Sequence, residues 1–541
     1  MSVDFLFIHV NEWAGVAAPD TIPISQGYGL AALRQAGHTG LILGDYQDRA
    51  LAPAQVAAAM AERRPRVVGF SVYEENINRV RVWATFAKRL DPAVLVLLGG
   101  PQTTFMPAAA LAQMPEVDLL CRGEGETVLL GLARALAEGT DLARAPGLCL
   151  RGADGSPVET GPAWGPESLD ELPSPYLADC FDLAGKRRVI LLSSRGCTSP
   201  CTFCYTTRAS GHQVRFHSLD RVIAEMRHLV GQGITDFWFA DPNFAHSRPR
   251  LEALLARISR ELPPVSFWCQ TRYNLVDPEL LARLKAAGCH TLAFGLESAD
   301  VEVLRRIRKG LDPGRMAQAI RDTQAAGIEV ELFSLFGLPG ESRAQAEATL
   351  DFVQANRVAV EGNSICQQLH IFFGTPIAEE PETHGVRPLP LTKPAYQSIC
   401  RDFTTEAMDV RAMRQMGLFW RTCRTDFADK VASRRDLFEV AGFVTSHRQD
   451  LADRPEGELL LARIYLALEE YEAAATCLQG LVQRFPEHPA VRAFLARPLT
   501  AFVLGRRAVA AEGCRVIYDC RGFLDGEPVP ETVSFFQEAL V

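Results

Sequence analysis

The stretch Ser194-Arg195-Gly196-Cys197-Thr198-Ser199-Pro200-Cys201-Thr202-Phe203-Cys204-Tyr205 places three cysteines at the spacing C-x3-C-x2-C, with an aromatic residue after the third. It follows an apolar, strand-like segment at 189–193. Thiolates at this spacing can bind one metal cluster from one loop, and a cubane 4Fe–4S cluster usually takes four of them. Three thiolates leave one iron open for a substrate or cofactor. Zinc is the alternative, but it usually takes further nearby ligands, and only His212 and His217 are close in the sequence.

This cysteine loop, closing a β-strand, resembles the signature of the radical S-adenosylmethionine (SAM) enzymes. The resemblance implies that Cys197, Cys201 and Cys204 hold a 4Fe–4S cluster whose open iron chelates the amino and carboxylate groups of SAM. Strand and helix patterns alternate six times over residues 186–385. Six β/α units suit the partial barrel of this family, and parallel barrels place their sites at the C-terminal strand ends.

Polar residues at the ends of the predicted barrel strands are candidates for contacts with SAM. The resemblance implies that Asp241 contacts its amino end and that Tyr205 lies over its adenine. Arg272 is predicted to bind the SAM carboxylate, because a guanidinium matches a carboxylate as a two-pronged donor. A structural polar network, or core packing for Tyr205, is the alternative reading of these residues.

Two further strand ends resemble the same family. Glu297 and Ser298 resemble the strand end that faces the SAM ribose, and the segment with Gly337 and Pro339 resembles the backbone that supports adenine. These residues have the same structural alternative.

Strand and helix patterns also alternate over residues 1–145, which predicts a parallel, doubly wound sheet with a ligand crevice beyond the C-terminal strand ends. No G-x-G-x-x-G follows the first strand, so a dinucleotide is disfavoured. The phrases at 98–101 and 117–126 resemble the cobalamin-binding domain that precedes many radical SAM domains. Residues predicted to contact the corrin are Ser71, Tyr73, Gly99, Gly100, Gln102, Thr103 and Glu124.

The histidine signature D-x-H-x-x-G of cobalt ligation is absent from residues 1–145. The resemblance therefore implies a cobalamin without a histidine ligand from the protein. An empty, degenerate domain is the alternative. For Glu124 the alternative is capping of the next helix, because acidic residues favour helix N-termini.

The remaining segments contain no predicted site residues. Residues 146–185 are rich in glycine and proline, which predicts a linker that packs on both neighbouring domains. Residues 386–541 are predicted to form a mainly helical domain, and 457–497 resemble one tetratricopeptide-type hairpin. Because a solenoid needs about three repeats, this hairpin is interpreted as a packing appendage.

Composition narrows the class of protein. The 541 residues are 48% hydrophobic with a formal net charge of −9, and no basic block is present, so nucleic-acid binding is disfavoured. The sequence has no apolar run of about 18 residues or more, so no membrane span is predicted. The N-terminus does not follow the signal-peptide pattern, and apart from the motif the fourteen cysteines are scattered, which predicts reduced thiols and a cytoplasmic location.

The resemblance covers roughly residues 1–385. It implies an α/β protein with a Rossmann-like cobalamin-binding domain, a (β/α)6 partial barrel and a helical C-terminal domain. It also implies a cobalamin-dependent radical SAM methyltransferase. One SAM would methylate cobalamin, a second would yield a 5′-deoxyadenosyl radical that removes a substrate hydrogen, and methylcobalamin would deliver the methyl group. The acceptor would be an unactivated carbon, or phosphorus, of a small molecule or peptide.

An external one-electron reductant of the flavodoxin or ferredoxin type is expected as a partner. Two alternatives remain. One is a relative with the same cofactors that catalyses a rearrangement, cyclisation or oxidation without methylation. The other is a non-catalytic metal-binding scaffold.

Overall fold

The structure is a computed structural model. It describes residues 4–10, 22–44, 51–356, 358, 367–413, 416, 441–442, 444–445, 448, 455–467 and 470–495. The chain forms two compact units, of which the first comprises Met1–Gly295, Leu304–Val330 and Leu369–Phe403, and the second comprises Leu296–Val303, Glu331–Gln368 and Thr404–Val541. No helix among the described residues is long and apolar enough to cross a membrane.

The N-terminal part of the first unit is built on a seven-stranded sheet. Its elements are β1 Phe5–His9, α1 Ile24–Gln35, β2 Gly40–Gly44, α2 Pro53–Arg63, β3 Val67–Ser71, α3 Ile77–Leu90, β4 Leu95–Gly99, α4 Pro101–Phe105, β5 Leu119–Cys121, α5 Gly125–Glu138, β6 Leu148–Arg151 and β7 Pro157–Glu159. The strand order is β2-β1-β3-β4-β5-β6-β7, and the first five strands are parallel. The predicted doubly wound sheet is therefore confirmed.

Both faces of this sheet are covered, because alternate apolar side chains of each strand point to opposite faces. Leu6 and Ile8 of β1 pack in the core shared with α2 and α3. Phe5 and Phe7 of the same strand pack in the core shared with α1 and α5. The strand order reverses at β1, which lies between β2 and β3, and open α/β sheets bind their ligands at such a switch point.

The segment predicted as a linker differs from that prediction. Strands β6 and β7 form an antiparallel hairpin that extends the N-terminal sheet beyond β5. The chain then returns to the sheet at Ala163, whose N–H donates to the Arg122 carbonyl and whose carbonyl accepts from the Glu124 N–H. The sequence also predicted that this segment packs on both neighbouring domains. Arg34 of the N-terminal part donates to the Ala178 carbonyl, and the Tyr176 hydroxyl donates to the Ile190 carbonyl of the barrel part.

The rest of the first unit contains most of the predicted barrel elements. They are β8 Arg188–Leu191, β9 Ser194–Arg195, α6 Thr206–Ala209, β10 Arg215–Phe216, α7 Leu219–Gly231, β11 Asp236–Phe239, α8 Arg248–Glu261, β12 Ser266–Thr271, α9 Pro278–Ala286, β13 Cys289–Glu297, α10 Val301–Arg306 and α11 Pro313–Ala325. The last two residues of β13 and the first three of α10 belong to the second unit. Strands β8, β11, β12 and β13 are neighbours in that order and run parallel. Local signals set the helix starts: Ser218 caps α7, and Asp277 followed by a proline caps α9.

The remaining elements are β14 Glu329–Phe336, α12 Arg343–Ala355, β15 Gln367–Gln368, α13 Pro376–Glu379, β16 Val386–Pro388, β17 Phe403–Thr405, α14 Pro455–Ala467, α15 Tyr471–Arg484 and α16 Pro489–Leu495. In the second unit, β14 and β15 pair in parallel. Helices α14 to α16 pack around a core that includes Leu460, Leu478 and Phe494. This helical hairpin with a third helix agrees with the predicted repeat.

Two predictions need correction. The last of the six predicted barrel strands is shorter than a typical strand and spans Gln367–Gln368. Residues 386–541 were predicted to be mainly helical, but the described residues 386–409 contain β16, β17 and irregular structure. Pro388, Pro390 and Pro394 disfavour a helix in the segment before β17, since proline removes a backbone donor and restricts the preceding residue. Most of 410–454 and all of 496–541 lie outside the described residues. The domain boundaries at 145, 185 and 385 remain predictions.

Candidate active site

A cavity of about 300 Å³ lies at the C-terminal edge of the N-terminal sheet, in the first unit. Its walls include four of the residues predicted to contact a corrin, namely Ser71, Gly99, Gly100 and Glu124. Phe7 and Leu97 contribute apolar surface farther inside. The cavity therefore lies at the predicted crevice.

Glycine is required at one point of this wall. Gly100 has φ +108, and a Cβ atom there would lie 2.9 Å from the Val72 carbonyl oxygen. A side chain at this position would be strained and would also displace backbone.

A buried polar group also points to a ligand in this cavity. Gln26 is 5% exposed and lines the cavity. Its Nε2 donates to the Ile8 carbonyl at 3.1 Å, while its Oε1 has no hydrogen-bond partner among the described residues. Buried polar atoms are nearly always paired, so this oxygen is suited to accept from a bound molecule that carries N–H groups.

Three predicted corrin contacts are not among the lining residues of this cavity. Gln102 is buried and donates to the Tyr396 carbonyl at 3.1 Å, and the hydroxyl of Thr103 donates to the Gly100 carbonyl at 3.0 Å. The N–H of Tyr73 donates to Asn76 Oδ1 at 2.9 Å, closing the turn before α3. These bonds give the three residues structural roles, and a contact with a corrin remains a prediction.

The other side of the cavity belongs to the barrel. Leu192, Arg195, Tyr205 and Ala209 complete its wall. Tyr205 directly follows Cys204, so the third cysteine of the motif is the chain neighbour of a residue in the cavity wall. The structure thus places Tyr205 beside the predicted corrin crevice, and its contact with adenine remains a prediction.

The cysteine loop has a fixed backbone. Gly196 has φ +95, and a Cβ atom on it would lie 2.1 Å from the Gln213 carbonyl oxygen. The Ser199 N–H donates to Cys197 Sγ at 3.4 Å, and the Thr202 N–H donates to the Ile307 carbonyl at 3.1 Å. These two backbone hydrogen bonds hold the loop that carries the three cysteines.

Asp241 and Arg272 brace this loop from the neighbouring strand ends. Asp241 is buried and accepts from the Ser193 hydroxyl at 2.8 Å and from the hydroxyl of Ser194. Burial raises the pKa of its carboxyl group. Arg272 donates to Ser199 Oγ at 2.9 Å and to the Lys309 carbonyl at 2.7 Å. Contacts of both residues with SAM remain predictions.

The second unit carries the other predicted SAM residues. Glu297 is buried with φ +59, a left-handed conformation that is unusual for glutamate and is often retained at functional sites. Ser298 is fully buried, and its hydroxyl lies 3.4 Å from Glu341 Oε1. Gly337 has φ +79, and its N–H donates to Glu341 Oε2 at 2.8 Å, while Pro339 is buried. Burial raises the pKa of Glu341 to about 8.

Residues 14–133 match the family model for the B12 binding domain, and residues 191–353 match that for the radical SAM superfamily. The two matches follow each other in the order predicted from the sequence. The chain therefore combines the two domains of the cobalamin-dependent radical SAM enzymes. Residues 455–497 match a tetratricopeptide repeat model, as the hairpin prediction required.

Curated relatives of this radical SAM enzyme share up to about two thirds of its length. An uncharacterised methyltransferase of Pyrococcus horikoshii is 29% identical over 350 residues, which are 64% of this chain and 75% of the relative. Cytidylyl-2-hydroxyethylphosphonate methyltransferase of Streptomyces wedmorensis is 26% identical over 392 residues (62% and 73%). Anaerobic magnesium-protoporphyrin IX monomethyl ester cyclase of Rubrivivax gelatinosus is 29% identical over 360 residues (64% and 64%).

Solved structures share the fold of the enzyme. The radical SAM methyltransferase TsrM of Kitasatospora setae, with cobalamin and a [4Fe-4S] cluster bound, has a TM-score of 0.61 at 24% identity and covers 73% of this chain and 78% of its own. At this identity the similarity shows the fold.

The cofactors of this family are a 4Fe–4S cluster, SAM and cobalamin, and the chain's donor atoms fit them. Cys197, Cys201 and Cys204 lie on one loop outside any disulfide, and the first and third are partly exposed. Within the described residues, no three His, Cys, Asp or Glu side chains converge on a single ion. A cubane makes a different demand, because each thiolate binds a different iron. The cavity with its unpaired Gln26 oxygen suits cobalamin, whose rim carries amide groups.

Sequence reasoning missed three residues at the meeting point of the loop and the cavity, namely Arg195, Arg215 and Tyr28. Arg195 donates to Glu124 Oε2 at 3.1 Å and to Glu126 Oε1 at 2.7 Å. Its guanidinium lies 4.6 Å from the ring centroid of Tyr28, and Arg215 forms an ion pair with Glu124. Arg195 stands two residues before the first cysteine of the motif, but nothing in the local sequence identifies its partners.

Proposed function

We propose that this enzyme is a radical SAM methyltransferase that uses cobalamin to transfer a methyl group from SAM to an unactivated carbon, or to phosphorus, of a small molecule or peptide. The observation that carries the proposal is one cavity whose wall includes both the C-terminal edge of the B12-binding sheet and Tyr205, the residue after the third cysteine. This arrangement supports a corrinoid bound beside the SAM-cleaving loop. Relatives named as methyltransferases support the reaction class.

When bound, the cofactors supply the methyl carrier and the one-electron chemistry, and the protein supplies placement and shielding. Arg272 donates a hydrogen bond to Ser199 inside the cysteine motif, and Asp241 accepts one from Ser193 before it, and these bonds fix the cluster loop. Gly100 keeps the sheet edge free of side chain so that a large flat ligand can approach the backbone. The apolar inner wall of the cavity excludes water from the bound molecule.

A non-methylating reaction is the second candidate, because one relative is named as a cyclase. The two candidates differ in the fate of the SAM methyl group. An external one-electron reductant and a cytoplasmic location complete the proposal.

The test incubates the anaerobically reconstituted enzyme with cobalamin, a chemical reductant, methyl-deuterated SAM and fractionated small-molecule extracts of the source organism. A product heavier by one labelled methyl group, with S-adenosylhomocysteine and 5′-deoxyadenosine formed together, supports methyl transfer by the radical route. Methyl transfer without 5′-deoxyadenosine would instead indicate a polar mechanism.

An unlabelled product formed with 5′-deoxyadenosine would refute methylation and favour the second candidate. The Cys204→Ala variant is expected to lose SAM cleavage. Cys477→Ala is the matched control, because Cys477 is a buried free thiol in the core of the C-terminal helices.

A further inference from the structure

Four charged side chains join the cluster-bearing strand to the N-terminal sheet. We name Arg195, Arg215, Glu124 and Glu126 the Arg–Glu clamp. Arg195 and Arg215 are direct partners in the antiparallel ribbon of β9 and β10, so both guanidinium groups reach the same place. Glu124 precedes α5 and Glu126 lies in its first turn. The clamp therefore connects the ribbon to one helix end of the B12-binding domain.

The clamp is shielded from water and balanced in charge. Side-chain exposure is 18% for Arg195, 10% for Arg215, 13% for Glu124 and 7% for Glu126. Two positive and two negative groups compensate each other. Ion pairs this far from water resist screening by salt, and they fix geometry because separating the partners leaves an unpaired charge behind.

The clamp is also braced by the wall of the cavity. Tyr28 lies under the Arg195 guanidinium, is 1% exposed and lines the cavity. The Tyr28 hydroxyl is 3.2 Å from His217 Nε2, and His217 Nδ1 is 3.3 Å from Asp170 Oδ1. Burial lowers the pKa of His217 to about 4, so the ring is neutral at pH 7 and adds no further charge beside Arg195. The position of Arg195 is thus fixed from several sides.

Arg195 stands two residues before Cys197, and its side chain forms part of the cavity wall that also contains Tyr205. Any movement of Arg195 shifts the start of the cluster loop relative to this cavity. We propose that the Arg–Glu clamp sets the separation and orientation of the cluster-bearing loop relative to the bound corrinoid, with Arg195 as the positioning residue. This inference rests on the proposed function only in that both cofactors are bound.

The test measures the geometry of the two cofactors in the absence of substrate. The enzyme is reconstituted with the cluster and cobalamin and then reduced, so that the cluster and cob(II)alamin are both paramagnetic. Electron paramagnetic resonance reports the magnetic coupling between them. Arg195→Ala is expected to keep most of its iron and corrinoid but to show weaker coupling with a broader distance distribution. Arg195→Lys keeps the positive charge but not the two-pronged guanidinium group, so its coupling is expected to be intermediate between those of the wild type and Arg195→Ala.

The matched control is Arg257→Ala, which removes a guanidinium that pairs with Glu261 on the surface of α8 and is expected to leave the coupling unchanged. If Arg195→Ala does not fold, Glu126→Gln removes one arm of the clamp with little change in size. Loaded Arg195→Ala or Glu126→Gln enzyme with wild-type coupling would overturn the inference. A lack of methyl transfer in the wild-type enzyme would affect the proposed function alone, because the coupling measurement needs no turnover.

Discussion

The Gly196→Ala substitution examines the backbone that starts the cluster loop. Gly196 has φ +95, in the region that favours glycine, and the new Cβ would lie 2.1 Å from the Gln213 carbonyl oxygen and 2.6 Å from Ser210 Cβ. The Gln213 carbonyl oxygen belongs to the backbone, so rotation of a side chain cannot relieve this contact. The residue immediately precedes Cys197, so any relief must move the first cluster ligand or the segment that contains Gln213.

Two effects contribute to the expected loss of stability. A non-glycine residue held at positive φ costs about 1–3 kcal/mol. Forcing a methyl group into a filled space typically costs about 1–3 kcal/mol more. Gly211→Ala is the matched control, since Gly211 has φ +61 with nothing within 4 Å of the added Cβ, so only the first effect applies.

The assay compares both variants by thermal unfolding and by iron bound after anaerobic reconstitution. The clash alone is expected to lower the melting temperature of Gly196→Ala by about 2–12 °C relative to Gly211→Ala, at roughly 2–4 °C per kcal/mol. Gly196→Ala is also expected to bind less iron, whereas Gly211→Ala keeps its iron. Equal melting temperatures and equal iron contents in the two variants would refute this account of the loop.

Two other residues give further predictions. Gln26→Leu removes the unpaired Oε1 in the cavity, and spectroscopic titration with hydroxocobalamin is expected to show about 3–10-fold weaker binding, equivalent to one hydrogen bond; unchanged affinity would mean that the oxygen does not contact the corrinoid. Glu341 has its pKa raised to about 8, so the unfolded chain ionises first, and stability falls as pH rises from about 4.5 to 8 by up to roughly 1.4 kcal/mol per unit. Glu341→Gln is expected to flatten the dependence of melting temperature on pH over this range, and a slope equal to that of the wild type would contradict the raised pKa.

The sequence was most informative where the chemistry is local. The cysteine spacing, the glycine at 196 and the aromatic at 205 lie within twelve residues, and together with the order of the α/β units they predicted both cofactor domains. Glu124 shows the limit of this reasoning. It was predicted as a corrin contact, and it does line the cavity, but its side chain pairs with Arg195 and Arg215, which are 71 and 91 residues away. Sequence pattern cannot identify such distant partners.

The connector shows a second limit. Its glycines and prolines predicted a linker, yet β6 and β7 complete the N-terminal sheet. Glycine and proline density marks turns, but it does not distinguish a linker from a short hairpin that is held by a neighbouring strand.

That hairpin has a practical consequence for dividing the enzyme into fragments. A truncation after residue 145 would remove β6 and leave β5 as a bare sheet edge, which is a template for aggregation. It would also remove Ala163, whose backbone N–H and carbonyl form hydrogen bonds with Arg122 and Glu124, the residues on either side of Gly123. We therefore expect that a fragment ending after Ala163 yields more monomer on size-exclusion chromatography than one ending at 145.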